Sequence, residues 1–460
     1  MTQALGWLTG VVVLAMILTL AWRGLMGRQW LVTAPVAFIG YQSFNVFGLI
    51  TKTDYTGQRF PAAWPFLVLL GFGSFVIGAM AASSATSFRH EEVRSWRDVP
   101  LVDDLKGQGT ILVLLMMAGL SLLVGVLFAQ RVGYNTFSQG LADYLGGSSV
   151  DRNSFSDLRA NATRGTYSAA GYASQFTAIL LPAIAVLLYI IGKHRKTTAP
   201  RVAAVCLGLI DVYFMTIVGG RAFLIGAVAM VALVLLGPTS PLPIYMRKRG
   251  LAAGMMVVLG LGLYGFTSVL QGRAENSGFA SIATQSTQGL YERLGGDYSE
   301  QQIMAIVILE PESPVFGAHW WNELSAVAPG GSDELTFDAQ LHGRVLGGNT
   351  RGNLPLDPWG SYYYNFGAPG LIVIPFIVGF LLQVVTVRYL IRGGRRLSTV
   401  ILLSLAGYRF AFLIDPYSVL LGGSLTLVLF LQLITWTRKP ATTQAMASAA
   451  DGHRAALRSG

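Results

Sequence analysis

Apolar residues in this chain are gathered into long unbroken runs instead of recurring at the spacing of a one-faced helix or a half-buried strand. Eleven runs of 16 to 21 residues stand out, at about 5–22, 30–50, 63–83, 110–129, 175–192, 202–218, 222–237, 250–270, 368–387, 398–416 and 418–436. About 20 mostly apolar residues in a helix cross a hydrocarbon core ~30 Å thick. The pattern therefore predicts an all-α integral membrane protein, a polytopic bundle of about 11 transmembrane helices filling residues 1–436.

Two connections between the runs are long. Residues 130–174 are rich in Gly, Ser, Asn and Tyr, and residues 271–367 hold most of the aromatic and ionisable side chains outside the runs. Loops of that length in a compact protein are functional or disordered. Trp320, Trp321, Trp359 and the triplet Tyr362, Tyr363, Tyr364 make the second too aromatic for disorder. It is expected to fold as short helices lying on the membrane surface. Residues 437–460 read as a disordered cytoplasmic tail. No internal repeat of the kind transporters show is visible.

Charge orients the bundle. With the N-terminus outside, the inner segments are 23–29, 87–108, 193–201, 238–249, 388–397 and the tail; they carry 21 of the 33 Lys and Arg but 6 of the 23 Asp and Glu. That asymmetry follows the positive-inside rule. It places both long loops outside, exoplasmic if the membrane is a bacterial cytoplasmic membrane, with the C-terminus in the cytoplasm. The net charge of +10 is thus a topology signal and no nucleic-acid footprint. Charged residues make up 12% of the chain and mean hydropathy is +0.53, which excludes an ordinary soluble domain. Cys206 is the single cysteine and the five histidines show no ligand spacing, so no disulfide framework, metal or other cofactor is expected.

Several charged groups are candidates for chemistry. In VGGRAFLIG (218–226) a turn between two runs holds Arg221 at the outer boundary, where a guanidinium fork suits phosphate oxygens and Gly219 and Gly220 let a bulky headgroup approach. The structural alternative is a snorkelling arginine that ends a hairpin. Arg273, Arg293, Arg344 and Arg351 are interleaved with acids in the long loop, where they suit either an anionic interfacial ligand or exposed ion pairs. Arg293 opens an amphipathic stretch, 292–317, that ends in a Pro/Gly turn. Within the runs Asp211 and Arg409 are isolated charges, and a pair between them joining two helices is a reasonable expectation. His319 and His342 have the right chemistry for a general base near pH 7, but neither has a recognisable partner in the sequence.

Four features occur in order: the GGR turn at 219–221, a long outer loop, Arg293 about twenty residues before PVFG (314–317), and YYYNFGAPGLIVIPFIVG (362–379), where an aromatic stretch leads through GxxG into the next run. This series, over about 210–390, resembles the bacterial O-antigen polymerase (Wzy) and O-antigen ligase superfamily. The resemblance implies a type C glycosyltransferase fold and an inverting, metal-independent enzyme of polysaccharide biosynthesis in the cell envelope. Such an enzyme transfers a glycan from undecaprenyl diphosphate to a hydroxyl on the outer side of the cytoplasmic membrane. Its partners would be the polyprenyl-diphosphate-linked oligosaccharide and membrane lipids, with a chain-length regulator and a flippase as further partners.

By position, Arg221 and Arg293 would hold the donor diphosphate, with Arg273 and Arg351 as further substrate contacts. The ligases carry a histidine about ten residues before GxxG. Here NLPLDPWG (353–360) has Asp357 instead, which favours the polymerase branch and makes Asp357 the first candidate for the acceptor-side base, with His342 second. The alternatives are a ligase that attaches a finished glycan to another acceptor, or a lipid-linked oligosaccharide flippase or transporter.

Overall fold

A computed structural model describes residues 2–26, 33–53, 59–146, 158, 173–217, 297–327, 337–346, 356–410, 419 and 423–437. Among these every named element is helical: α1 (Thr2–Ala21), α2 (Ala34–Lys52), α3 (Arg59–Ala85), α4 (His90–Asp98), α5 (Gln108–Val132), α6 (Thr136–Leu145), α7 (Leu181–His194), α8 (Ala199–Ile217), α9 (Asp297–Leu309), α10 (Ala318–Val327), α11 (Phe337–Leu346), α12 (Pro358–Val385), α13 (Leu397–Phe410) and α14 (Ser424–Trp436). Wider π-helical turns extend α1 over Trp22–Met26, precede α7 over Gln175–Leu180 and extend α12 over Thr386–Ile391.

Six of the helical segments are long and apolar enough to cross a membrane, and two shorter apolar helices, Leu397–Gly407 and Ser424–Trp436, join them. Nine of the eleven expected spans coincide with a described helix, α2 among them; the spans at 222–237 and 250–270 lie outside the described residues.

One boundary moves. The run at 368–387 is the second part of α12, which begins ten residues earlier, at Pro358, inside what hydropathy assigns to the outer loop. The start has ordinary causes. Asp357 caps the helix by accepting from the Gly360 N–H, and Pro358 occupies the first helical position, where its missing N–H is harmless. The tyrosines and Asn365 that follow lower the hydropathy, and Gly367 breaks the helix with φ 67°, ψ −161°.

α3 and α12 pack along most of their length. Gly71 lies beside Leu371 and Ser83 beside Gln383, so the two helices run in the same direction, as two spans entering from one side must. Their backbones approach so closely that a Cβ at Gly78 would stand 2.1 Å from the Phe376 carbonyl oxygen, and one at Gly379 2.2 Å from that of Phe75. Small residues allow such approach where the hydrophobic effect between helices is weak. Ser74 adds a hydrogen bond to the Ile372 carbonyl at 2.8 Å, and Gln383 Nε2 donates to Ser83 Oγ at 2.9 Å. Phe38 and Phe72 meet the ring of the fully buried Trp359 edge-on beside this seam, and Phe75 stacks on Phe38.

At the C-terminal end of this pair, four of the segments expected to share the inner side come together. His90 Nε2 lies 3.2 Å from the Arg23 carbonyl, Arg392 grips Glu92 at 2.9 Å, Arg195 grips Asp103 at 2.7 Å, and Ser398 Oγ donates to Asp104 at 2.7 Å. Arg395 donates to the Val99 carbonyl and lies over the Trp96 ring. Burial alone would raise the Asp103 carboxyl, but the Arg195 fork and the Leu105 N–H outweigh it and hold the group below its ordinary value.

The expected Asp211–Arg409 pair is not formed. Asp211 is buried in α8 with one carboxylate oxygen unbonded among the described residues, while Arg409 donates to the Ala178 carbonyl at 3.0 Å. That carbonyl belongs to the π-helical turn 175–180, which itself packs on α8, so the arginine ends on a backbone acceptor before it reaches the acid.

Candidate functional site

The opposite end of the α3–α12 pair carries α9, α10, α11 and the first turns of α12, and is organised by the break at Gly367. In a continuous helix the carbonyls of Tyr363, Tyr364 and Asn365 would accept from the N–H groups of residues 367, 368 and 369. The backbone turns away at Gly367, and Pro369 has no N–H to offer. The turn between α9 and α10 supplies the missing donors. Ser313 Oγ donates to the Tyr363 carbonyl at 3.1 Å, the Val315 N–H to Tyr364 at 3.1 Å and the Phe316 N–H to Asn365 at 2.7 Å. The PVFG turn and the aromatic stretch before GxxG, 50 residues apart in sequence, are thus one hydrogen-bonded unit.

From that turn α10 runs back across α12. Trp320 faces inward, its Nε1 donating to Ser361 Oγ at 2.8 Å and its ring 5.1 Å from Phe366, whereas Trp321 is 71% exposed. His319 and Glu323, one helical turn apart, are 2% and 3% exposed. The His319 ring lies 4.3 Å from Phe337 and 6.0 Å from Tyr364, with Nδ1 3.3 Å from Asn365 Nδ2. Its Nε2 is buried with no hydrogen-bond partner among the described residues. Burial lowers its pKa to about 4, so the imidazole is neutral at pH 7. Glu312 ties α11 to α12: it accepts from Arg344 at 2.9 Å and from the Tyr364 hydroxyl at 3.1 Å. The Arg344–Glu312 pair is half-exposed, and such pairs contribute little stability.

Asp357 stands at the start of α12, one residue ahead of the candidate span. Its Oδ1 accepts from the Gly360 N–H at 2.6 Å, and its own N–H donates to Gln302 Oε1 of α9 at 3.0 Å. Burial pushes its carboxyl up to about 7, against a smaller lowering by the Gly360 hydrogen bond. His342 is half-buried on α11. α9 packs on both α11 and α12, so Asp357 and His342 belong to one cluster of elements. Arg221, Arg273, Arg293 and Arg351 lie outside the described residues. No group of three or more His, Cys, Asp or Glu placed to hold a metal ion occurs among the described residues.

The residue that sequence reasoning undervalues is His319. Its neighbour Asn365 is 46 positions away, and nothing in the local pattern signals the contact. The only local clue is that His319 and Glu323 share one face of a short helix. Comparison of the chain with protein-family models, with curated proteins and with solved structures finds no match to any of them.

Proposed function

We propose that this protein is a membrane-embedded glycosyltransferase that joins lipid-linked oligosaccharide units, moving a glycan from undecaprenyl diphosphate to a sugar hydroxyl at the end of the bundle that holds α9, α10, α11 and the start of α12. The observation that carries the reading is the bonding of the 313–316 turn to the interrupted start of α12. It brings together the two loop motifs on which the resemblance rests and sets polar side chains beneath short helices that join membrane spans.

In this reading Arg221 and Arg293 hold the donor diphosphate, with Arg273 and Arg351 as further contacts, and their fixed positive charge stabilises the departing diphosphate. Asp357 is the acceptor-side base, with His342 the second candidate. A carboxyl raised to about 7 by burial suits that role, since a base is most effective when its pKa lies near the working pH. Its Oδ1 is held by Gly360, which leaves the other oxygen for a hydroxyl.

The test uses purified protein in lipid with undecaprenyl-diphosphate-linked oligosaccharide, products being followed by gel and mass spectrometry. A ladder spaced by whole repeat masses, with released undecaprenyl diphosphate, is expected. Unchanged donor in the presence of both donor and acceptor units would refute polymerase activity.

A further inference from the structure

His319 and Asn365 fix each other's hydrogen-bonding state. Asn365 Nδ2 lies 2.9 Å from the Ser361 carbonyl and 3.3 Å from His319 Nδ1. A carbonyl only accepts, so the amide atom facing it is the nitrogen; the flipped amide would set two oxygens against each other. One amide hydrogen goes to Ser361 and the other to His319 Nδ1, which is therefore the acceptor. In a neutral imidazole the proton is then on Nε2.

This leaves two complementary groups on side chains that already touch. Among the described residues, the Nε2–H of His319 is a buried donor without a partner, and Oδ1 of Asn365 is a buried acceptor without one. A buried polar atom left unpaired keeps the full cost of its lost hydration. We infer that His319 Nε2 and Asn365 Oδ1 receive a hydroxyl of the glycan substrate, an inference that rests on the proposed transferase reading of this end of the bundle. A hydroxyl answers both groups, since it accepts from Nε2–H and donates to Oδ1. A phosphate oxygen answers only the first. The tautomer also makes His319 a donor that positions a sugar and not the base that deprotonates it. At 2% exposure the histidine is closed to solvent in this structure, so a hydroxyl reaches it only when the side chains packed around it move.

The test is nitrogen NMR on the full chain, labelled with ¹⁵N-histidine and held in lipid nanodiscs, with His319→Gln identifying the His319 signals. The Nε2–H tautomer is expected without ligand. Undecaprenyl diphosphate carrying a single N-acetylglucosamine should shift the Nε2 resonance, and inorganic diphosphate should not. His319→Ala should weaken binding of that glycolipid roughly tenfold, with normal elution on size exclusion showing that the variant folds. An Nδ1–H tautomer would overturn the inference at once. A shift with diphosphate alone would make the site an anion donor and overturn the hydroxyl assignment; no shift with either probe would reduce the pair to packing. Chain extension with an unmoved resonance would sink this inference alone. A shift without chain extension would sink the transferase reading and leave the sugar site standing.

Discussion

Phe316 gives its backbone N–H to the carbonyl of Asn365 at 2.7 Å, closing the gap that Pro369 opens in α12. A proline within a helix frees the carbonyl four residues before it, and in an apolar setting that carbonyl must find another donor. Here the donor comes from a turn that also sets the start of α10 and hence the positions of His319 and Trp320. The break in the helix and the cap over it are one device.

The first expectation concerns Gly367. Its φ of 67° and ψ of −161° fall in a region essentially confined to glycine. Gly367→Ala should destabilise the protein by about 1–3 kcal/mol, read as a lowered unfolding temperature of the purified protein. An unchanged melt would mean that the break does not depend on glycine.

The α3–α12 seam makes the second. Gly379→Ala sets a methyl 2.2 Å from the Phe75 carbonyl oxygen, so one helix must shift. Gly119→Ala on α5 meets nothing within 4 Å and should be neutral or stabilising through helix propensity. A melting series that ranked the two alike would refute the close-packed seam.

Charge geometry makes the third. Arg221→Lys and Arg293→Lys should each lower transferase activity about tenfold or more with normal membrane insertion, because a point charge cannot form the bidentate fork. Near-normal activity in both would refute their proposed role in holding a diphosphate.

The fourth is pH dependence. His319 has a folded pKa of about 4 against an ordinary value of 6.5. Above pH 6.5 it is neutral in both states; as pH falls toward 4 the unfolded chain takes up a proton the folded one refuses, and stability is lost. Asp357 acts in the opposite direction. Its folded pKa of about 7 against 3.8 means the unfolded chain sheds its proton first, so stability falls as pH rises from 3.8 toward 7. Over about pH 4 to 7 the two slopes therefore oppose each other, so that, relative to the parent, the melting temperature should fall more with rising pH in His319→Gln and rise more in Asp357→Asn. Curves parallel to the parent would show that neither group is buried as described.

Topology makes the fifth. A cysteine replacing Gln340 on α11 should react with an impermeant maleimide added outside the cell, and one replacing Lys193 at the end of α7 should not. The reverse result would invert the bundle.

Helices at nine of the expected positions, the gathering of Arg23, 87–108, 193–201 and 388–397 at one end, and short helices in the long loop follow from the sequence alone. Each depends on quantities summed along the chain, the apolarity of about 20 residues or the Lys and Arg of a short loop, which need no partner to be meaningful. Tertiary structure alone decided the remainder. Hydropathy put the start of the late span after Gly367, because it cannot register that carbonyls freed by the break at Gly367 and by Pro369 find donors at 313–316, 50 residues upstream. It offered Asp211 and Arg409 to each other by sign alone, whereas a nearer backbone carbonyl took the arginine. The sequence shows no partner for His319, because its burial against Phe337 and its bond to Asn365 exist only once α10 and α11 have folded over α12.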